Sequence, residues 1–557
     1  MQTDPMTLTL FVPLFGAIAA FVLPRAAAGI GLVSVLATCG AVVWLAVDVL
    51  AAGAVSVPLG GWEPPLGIAL RADGLSVAML AMTGAVGLLV SVGALDALRD
   101  ARQRQYFWPL WLLLLSGMNG VYLSTDIFNL YVMIEVIALT AVGLTVLSGT
   151  REALRAGLEY MYASILGALL FLMGVGFVYL QIGRLDFAGL IAAEASAGLS
   201  AALALMLVGL LLKTALFPLH FWLPAAHANA TAPASALLSG LVVKASLYIF
   251  LRLTTYMPLP DEILITLIGA EPSAALSAAL ALMIIGLLLK TALFPLHFWL
   301  PAAHANATAP ASALLSGLVV KAALYIFLRL TTYVPLPDEI LITLIGALGA
   351  GAVLWGGVQA LRAERLKLLV AWSTVLQIGL IFIAFARAGQ VGLTESWKAA
   401  ALLILAHGVA KAAMFLSAGR IKDEIGHDRI ADLDRTPIRP TLAQFTFALA
   451  AISLIGLPPS LGFIGKWSLM EGAMAAGYWH WVAVTMIGTF LSVAYFSRVL
   501  AGFLRFDRVR APLGEHQGWA LADIAPLTLA VAAISLGLMA APILSLIELG
   551  YPFGATP

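Results

Sequence analysis

Apolar residues run along this chain in blocks, separated by short stretches that carry charged residues, proline or glycine. A helix that crosses a bilayer needs about 20 predominantly apolar residues, and most of these blocks approach or exceed that length. The pattern therefore predicts membrane helices near 6–24, 29–51, 74–97, 106–124, 126–148, 157–182, 200–218, 233–256, 277–295, 310–333, 340–360, 367–386, 396–420, 442–467, 478–504 and 520–547.

Composition excludes a water-soluble protein. The 557 residues are 62% hydrophobic and 11% charged, whereas soluble domains carry about 25% charged residues. A net charge of +1 provides no basic field for nucleic acid. The first apolar block follows MQTDP without a basic leader region or a clear cleavage site, which predicts a retained helix rather than a signal peptide.

The cations sort by loop and predict an orientation. If the helices alternate in direction, five cationic clusters share one side: Arg99, Arg102 and Arg104; Arg151 and Arg155; Arg362, Arg365 and Lys367; Arg420, Lys422, Arg429, Arg435 and Arg439; Arg505, Arg508 and Arg510. Cytoplasmic loops carry the excess of Lys and Arg, so the cationic clusters are predicted on the cytoplasmic side of the inner (cytoplasmic) membrane and both termini on its outer side. The longest polar stretch, 420–440, is too short for a soluble catalytic domain and is interpreted as a cytoplasmic loop.

A near-identical tandem repeat lies in the middle of the chain, where Glu194–Ala270 is followed directly by Glu271–Ala347. The copies differ only at Ala195/Pro272, Gly198/Ala275, Leu207/Ile284, Val208/Ile285, Ser246/Ala323 and Met257/Val334. Ancient repeats of transporter folds survive only as weak similarity, so this one is a recent duplication, an engineered insertion or an assembly fault. The differences favour a real event. Each copy carries two predicted helices, which preserves the topology downstream.

Charged residues inside the apolar blocks are the main functional signal, because each costs about 2.5–3.5 kcal/mol to insert and normally faces a protein interior or a water-filled path. Glu135 lies half-way along its block, and Lys213 and Lys244 lie well inside theirs. Lys290 and Lys321 are the repeat copies of these two lysines.

Further candidates lie in the second half of the chain. His407 and Lys411 are four residues apart and share a helix face, and Lys466 follows a Pro-Pro and Gly-rich stretch that is expected to break its helix. Lys411 or Lys466 could also extend from a helix end to the interface. That alternative is weaker for Glu135, whose short side chain could instead be protonated, and either state suits a residue that exchanges protons.

A broken helix is predicted close to Lys213, because Pro218 and Pro224 interrupt the block. Irregular backbone at membrane depth is tolerated only where it lines a cavity or is buried. The histidines of this segment are His220 and His227, with His297 and His304 as their copies. They could bond freed backbone carbonyls or relay protons, and these alternatives are about equal.

No cofactor or metal is predicted for this chain. No carboxylate or thiol accompanies the histidines at ligand spacing. Cys39 is the only cysteine, which excludes a disulfide framework or a cysteine-ligated iron–sulfur cluster within the chain. The glycines of 344–357 lie in an apolar helix and follow no strand, so they indicate helix packing rather than a nucleotide site.

Six segments recur in a distinctive order: GGWEPPLGIALRADGLS (60–76), GMNGVYLSTDIFNLYVMIEV (117–136), LKTALFPLHFWLPAAHANATAPASALLSGLVVK (212–244), RLKLLVAWSTVLQIG (365–379), HGVAKAAMFLSAG (407–419) and ISLIGLPPSLGFIGK (452–466). Together these segments resemble the antiporter-like subunits shared by Mrp-type multisubunit cation/proton antiporters and respiratory complex I. They cover nearly the whole chain in the family's order. The first two resemble the D-type subunit of the Mrp-type antiporter more than the complex I subunits.

The resemblance implies an all-α, polytopic membrane fold of fourteen helices with two inverted five-helix units, and the duplicated helix pair raises the count to about sixteen. The implied organisation is 1–105 for helices 1–3, 106–256 for the first unit, 194–270 and 271–347 for the repeat, 340–504 for the second unit and 505–557 for a C-terminal helix.

The resemblance also implies roles for the charged residues. It makes Glu135 and Lys213 the charge pair of the first half-channel, Lys244 the central lysine, His407 and Lys411 part of the connecting polar axis, and Lys466 the terminal lysine. Because the copies are identical there, Glu135 could pair with Lys213 or with Lys290. The candidate translocation residues are Glu135, Lys213, Lys244, Lys290, Lys321, His220, His227, His297, His304, His407, Lys411 and Lys466.

The leading functional hypothesis is an ion-translocating subunit of a Na⁺ or K⁺/proton antiporter that works with partner membrane subunits. The alternative is a non-catalytic, proton-pumping subunit of an NADH–quinone oxidoreductase or a membrane-bound hydrogenase. A proton-coupled inorganic-carbon uptake subunit is a third hypothesis. A purely structural membrane protein would not need so many buried ions.

Overall fold

A computed structural model describes residues 4–98, 100–216, 219–256, 284–306, 309–321, 323–324, 339–391, 393–435, 441–504 and 521–548. It divides into two compact units. The first contains Met1–Gly286 and Ser545–Pro557, and the second contains Leu287–Leu544.

The first unit is a bundle of helices with one short hairpin near its N-terminal end. Its helices are α1 (Pro5–Val22), α2 (Ala27–Ala52), α3 (Gly74–Ala97), α4 (Ala101–Leu123), α5 (Ile127–Thr145), α6 (Arg151–Ile182), α7 (Phe187–Ile191), α8 (Ala197–Thr214), α9 (Leu223–Asn229), α10 (Ala232–Leu237) and α11 (Val243–Tyr256). The first repeat copy provides α8 to α11.

The second unit is also helical, and the sequence boundary between the units falls within helix α12 (284–290). The helices that follow are α13 (Trp299–Asn306), α14 (Ala309–Leu314), α15 (Glu339–Arg362), α16 (Leu366–Val391), α17 (Leu393–Ile425), α18 (Leu442–Ile455), α19 (Leu461–Ala475), α20 (Trp479–Leu504), α21 (Leu521–Ser535) and α22 (Ala540–Glu548). The last of these crosses the sequence boundary at Ser545.

The all-α membrane fold is confirmed. Among the described residues, 11 helices are long and apolar enough to cross a membrane. Several helices extend beyond the predicted apolar blocks into their polar margins. For example, α6 begins at Arg151 rather than near 157 because Thr150 caps it, with its hydroxyl oxygen accepting the backbone N–H of Ala153 at 3.2 Å.

A two-stranded hairpin, β1 (Val55–Pro58) and β2 (Ala69–Ala72), was not predicted from the sequence. Its strands pair antiparallel with Val55 opposite Ala72. The chain passes from β2 through Asp73 into α3, where the Asp73 carboxylate caps the helix by accepting the Ser76 N–H at 2.8 Å. The hairpin therefore fixes the position of this buried carboxylate at the beginning of α3.

Polar groups join α1 to the buried second half of α4. Ser116 donates its hydroxyl to the Leu10 carbonyl at 2.9 Å, and the amide of Asn119 donates to the Thr9 carbonyl at 2.7 Å. In lipid, where apolar contacts between helices gain little over contacts with acyl chains, such bonds and close packing hold helices together.

Each repeat copy breaks its first helix in the same way. Ala215 and Ala292 both have left-handed backbone conformations, with φ of 50° and 56°. In each copy a tryptophan indole, from Trp222 or Trp299, donates to the carbonyl of the residue ten positions earlier, at 3.0 and 2.9 Å. These bonds satisfy carbonyls that the interrupted helix leaves without a partner.

Both copies also form a π-helical segment at the same sequence, Leu238–Val242 in the first copy and Leu315–Val319 in the second. The local structure of the repeat is thus encoded locally and formed twice. Among the residues that can be compared, the difference between the copies lies in their surroundings.

The predicted block 442–467 contains a break at its Pro-Pro sequence, as expected. Helix α18 ends at Ile455, Gly456 has φ of 86°, and Ser460 caps α19 by accepting the Phe463 N–H at 3.3 Å. Lys466 therefore lies in the second half-helix rather than at the end of one long helix.

Candidate functional site

A buried acid–lysine pair lies between α5 and α8 of the first unit. The Lys213 ammonium donates to Glu135 Oε1 at 2.6 Å and to Ser164 Oγ at 2.9 Å, so three helices meet at one cation. The Lys213 side chain is 5% exposed and that of Glu135 is 25% exposed. The carboxylate therefore has access to the outside of this unit, whereas the ammonium does not.

The packing of α6 against α8 brings Lys213 to this position. A Cβ atom on Gly209 would lie 2.4 Å from the Gly167 carbonyl oxygen, and one on Gly167 would lie 3.0 Å from Lys213 Cγ. Glycines at such a crossing let two membrane helices approach until their backbones touch. The lysine stem lies directly over this contact, so the two glycines set where the ammonium can reach.

The break at the end of α8 lies next to the same lysine. Lys213 is the second-last residue of the helix, and Ala215 turns the chain into the left-handed region at a cost of about 1–2 kcal/mol. The indole ring of Trp222 stacks on Tyr160 of α6, with ring centroids 4.1 Å apart. The break is thereby fastened to the helix that carries Ser164.

The other candidates of the first copy lie on the segments that follow α8. Lys244 is buried, 1% exposed, on α11. His220 is exposed, and His227 is half-buried with its Nδ1 3.0 Å from the Ser235 hydroxyl. This contact is with a side-chain hydroxyl and not with a freed backbone carbonyl, so both alternatives for the histidines stay predictions.

A second buried ion pair in the first unit was missed in the sequence. The Arg252 guanidinium donates to both carboxylate oxygens of Asp73, at 2.6 and 2.8 Å, and also to the hydroxyls of Ser76 and Tyr248, at 2.9 and 2.8 Å. Tyr248 in turn donates to the backbone carbonyl of Tyr122 at 2.8 Å. Arg252 interrupts an apolar run, and a buried cation requires a buried carboxylate, so the signal was present in the sequence.

Lys244, Tyr248 and Arg252 follow one another at intervals of four residues along one face of α11. The Asp73–Arg252 pair therefore fastens the lysine-bearing helix to the beginning of α3. This pair orients the helix, while the lysine lies two turns away.

Lys411 is fully buried in the second unit, on the helix face predicted to carry His407. Its ammonium donates to the Val370 carbonyl at 2.7 Å and to the Ser373 hydroxyl, both on α16. Neither ring nitrogen of His407 has a hydrogen-bond partner among the described residues. A buried ring without a direct bond is suited to a bridging water or a transient proton.

The second repeat copy contributes to the same cluster. The Lys321 ammonium donates to the Ser316 carbonyl, and the Ser316 hydroxyl lies 3.1 Å from the Thr374 hydroxyl on α16. The His304 ring stacks on Phe415 of α17, with centroids 4.4 Å apart. A Cβ atom on Gly408, the residue after His407, would lie 3.7 Å from Lys321 Cγ, so this lysine packs beside the helix that carries His407 and Lys411.

Lys466 caps the broken helix of the second unit. Its ammonium donates to the backbone carbonyls of Leu454 and Ile455, at 3.0 and 2.8 Å. These two residues are the last of α18. A cation at the C-terminal end of a helix is stabilised by the helix dipole. A Cβ atom on Gly456 would lie 2.9 Å from Lys466 Cδ, so the glycine leaves room for the lysine.

Two candidates of the second copy remain. His297 is buried between Phe294 and Trp372, with ring centroids at 5.4 and 5.5 Å. Lys290 ends helix α12 and is half-buried. The structure thus groups Glu135 with Lys213 in one unit, and His304, Lys321, His407 and Lys411 in the other.

An ion pair between an exposed arginine and a buried carboxylate lies just beyond the membrane helices of the first unit. Burial alone would raise the pKa of Asp186, but the two hydrogen bonds from Arg184, at 2.8 and 2.9 Å, and the charge of that residue hold the pKa below its ordinary value. The same carboxylate caps α7 by accepting the Gly189 N–H. This pair stabilises the connection between α6 and α8 and is not part of the buried site.

The apolar helices and the charges enclosed between them define a polytopic α-helical membrane protein. The profile of the family described as NADH:quinone oxidoreductase/Mrp antiporter, TM, matches residues 124–271 and 261–492. Its two matches overlap over residues 261–271, at the end of the first repeat copy. The chain belongs to this family.

Relatives come from both branches of the family. The N-type subunit of the NADH-quinone oxidoreductase of Desulforudis audaxviator is 30% identical over 88% of this chain and 85% of the relative. The D-type subunit of the Na(+)/H(+) antiporter of Bacillus subtilis is 25% identical over 84% of this chain and 79% of the relative.

Solved structures show the same fold. A chain of the archaeal membrane-bound sulfane sulfur reductase, a respiratory membrane complex, superposes with a TM-score of 0.64 at 23% identity, covering 98% of this chain and 96% of the other. A chain of the Mrp complex from Dietzia sp. superposes with a TM-score of 0.62 at 23% identity, covering 99% and 98%. The resemblance expected from the sequence is confirmed.

Proposed function

We propose that this chain is the ion-translocating subunit of a multisubunit antiporter that exchanges cytoplasmic Na⁺ or K⁺ for external protons. The observation that carries the proposal is the Glu135–Lys213 pair, buried between membrane helices with its carboxylate partly exposed. Opening and closing of such a pair changes the proton affinity of the lysine, which is a physical means of gating a proton.

Residues 106–256 and 340–504 are proposed to be the two translocating units. In the first, Glu135 and Lys213 exchange the proton, and Lys244 receives it. In the second, His407 and Lys411 carry it towards Lys466. The inner-membrane orientation with both termini outside belongs to this proposal and rests on the cationic loops.

Partner membrane subunits are part of the proposal for two reasons. The relative from Bacillus subtilis is named as a subunit, and the similar Dietzia chain belongs to a complex. Glu135 also retains 25% exposure in the isolated chain, at a depth where an exposed carboxylate is costly. A neighbouring subunit that covers this side of α5 would remove that cost.

The second candidate function is that of a proton-pumping subunit in a redox-driven complex, such as an NADH–quinone oxidoreductase or a membrane-bound hydrogenase. The observation that favours it is the 30% identity to the oxidoreductase subunit of Desulforudis audaxviator, which exceeds the identity to the antiporter subunit of Bacillus subtilis. In that case the same buried residues would carry protons, while another subunit would supply the driving reaction.

The test is cation-induced collapse of a respiration-generated pH gradient in inverted vesicles. The vesicles come from an antiporter-deficient host that expresses the chain with its genomic neighbours. Collapse on addition of Na⁺ or K⁺, abolished by Glu135→Gln, is the expected result. Glu159→Gln is the matched control, because the Glu159 side chain is 41% exposed and paired with Arg155, and its substitution should leave the response unchanged.

Absence of any cation response from a complex shown to be intact would refute the antiporter function. Proton pumping driven by NADH or hydrogen in the same vesicles, and lost with Glu135→Gln, would then establish the second candidate. A response that survives Glu135→Gln would contradict the assignment of the site itself.

A further inference from the structure

The two repeat copies have the same local structure but different neighbours. In the first copy, Lys213 bonds Glu135 of α5, and Trp222 stacks on Tyr160 of α6. All of these residues belong to the first unit. The first copy therefore completes the acid–lysine site.

The second copy packs against α16 and α17 of the second unit. Ser316 bonds Thr374 of α16, and a Cβ atom on Gly317 would lie 3.2 Å from the Gly408 carbonyl oxygen and 3.3 Å from Ala412 Cβ, both on α17. Lys321 is thus placed in the cluster that contains the buried histidines and Lys411.

The two carboxylates that the first copy pairs with, Asp73 and Glu135, can serve only one copy at a time. Arg252 donates hydrogen bonds to both carboxylate oxygens of Asp73, and Lys213 donates one to the carboxylate of Glu135. A second cation at either place would be buried without a counter-ion, which is strongly unfavourable. Connectivity decides which copy enters, because α8 follows α6 after a short connection and consecutive elements usually pack together.

We propose that the duplication has divided the work of one helix pair between two units, so that the first copy serves the acid–lysine site and Lys321 of the second copy serves the cluster around His407 and Lys411. The chain then carries a separate buried lysine for each unit, Lys244 in the first and Lys321 in the second. The functional half of this inference rests on the proposed function, whereas the positions of the copies do not.

Disulfide cross-linking tests the positions independently of transport. In a Cys39→Ser background, Ser316→Cys with Thr374→Cys places two thiols where two hydroxyls now lie 3.1 Å apart. The matched control pairs Thr374→Cys with Ser239→Cys, the same position in the first copy. We expect oxidation to protect the first pair from maleimide–polyethylene glycol in the denatured chain, and to leave the control pair labelled.

A second pair keeps the test decisive if the first one disturbs folding. Gly317→Cys with Ala412→Cys has a Cβ–Cβ distance of 3.3 Å, near the range of disulfides, and Gly240→Cys with Ala412→Cys is its control. Cross-linking of the controls at the same rate as the test pairs, in chains that elute as the wild type does, would overturn the assignment of the copies.

The function of Lys321 is tested in the vesicle assay once the positions are known. Lys321→Ala is expected to reduce cation-induced proton movement at least tenfold although Lys244 is intact. A normal rate from Lys321→Ala, in vesicles where the unsubstituted chain responds to cations, would overturn the division of work. Absence of a response from the unsubstituted chain would instead refute the proposed function, while the cross-linking result would still stand.

Discussion

The buried pair between Asp73 and Arg252 offers a test of the packing of the first unit. Asp73 is 3% exposed and accepts from both terminal nitrogens of the guanidinium and from the Ser76 N–H. Asp73→Ala therefore removes the counter-ion of a buried cation and a helix cap at once.

The expected magnitude follows from these two losses. Removing one partner of a buried ion pair costs about 3–5 kcal/mol, and loss of an N-cap adds about 1 kcal/mol. Asp73→Ala should therefore lower the free energy of unfolding by about 4–6 kcal/mol. Asp73→Ser keeps a capping oxygen and should therefore lose only the contribution of the ion pair, about 3–5 kcal/mol. Adding Arg252→Met to Asp73→Ser removes the unpaired charge and should recover most of the loss, because replacing both ions by packed groups is often neutral.

Unfolding of the purified full chain in detergent, titrated with denaturant and followed by tryptophan fluorescence, measures these free energies. Arg329→Met is the matched control, since Arg329 is the second-copy counterpart of Arg252 and Asp73 is already occupied. A double variant that loses as much as the sum of its single variants would refute the coupling. An equal loss from Arg329→Met would show that Asp73 does not distinguish the copies.

Other perturbations test the positions of the lysines and the ion pair between Arg184 and Asp186. Gly209→Ala should reduce transport severalfold because its methyl group would lie 2.4 Å from a carbonyl oxygen of α6 and separate the helices that hold the site lysine, whereas Gly176→Ala, on α6 with open space around it, should have no effect on the vesicle assay. Gly456→Ala should impair transport more than Gly426→Ala, since both glycines have positive φ but only Gly456 contacts a site lysine; equal effects would contradict this. Asp186 has a lowered pKa in the folded chain, so its stabilising effect is present above the unfolded pKa of about 3.9 and is lost as pH falls through the lower folded value; Asp186→Asn should flatten the acid limb of a stability–pH profile.

The membrane helices and most of the buried charges could be predicted from the sequence, because lipid imposes strong constraints. A membrane-spanning helix must be predominantly apolar, and a charged side chain within it is costly enough to indicate a function. Those two rules were enough to select Glu135, Lys213 and Lys411. The break before Lys466 was predictable as well, since proline cannot continue a helix.

The choice between Lys213 and Lys290 could not be made from the sequence, because the copies are identical at this position and differ little elsewhere. It depends on which copy packs against α6, because Gly286 repeats Gly209 and only the fold shows Gly209 against Gly167. Ser164 was missed for the same reason. A serine in an apolar helix is ordinary until a lysine from another helix is seen to reach it.

The hairpin of β1 and β2 was missed because four-residue strands carry too little alternation to be distinguished from a loop. This short hairpin nevertheless matters for the buried ion pair, because it places Asp73 at the beginning of α3. The partner of that carboxylate, Arg252, lies far away in the sequence, and only the fold brings the two together.

The central claim is that ions pass through the buried pair formed by Glu135 and the lysine of the first copy. The most direct test compares Lys213→Ala with Lys290→Ala in the vesicle assay, because the two substitutions are chemically identical and lie at equivalent positions of the repeat. We predict that Lys213→Ala abolishes cation-induced collapse of the pH gradient and that Lys290→Ala retains it. Equal losses, or loss with Lys290→Ala alone, would contradict the account.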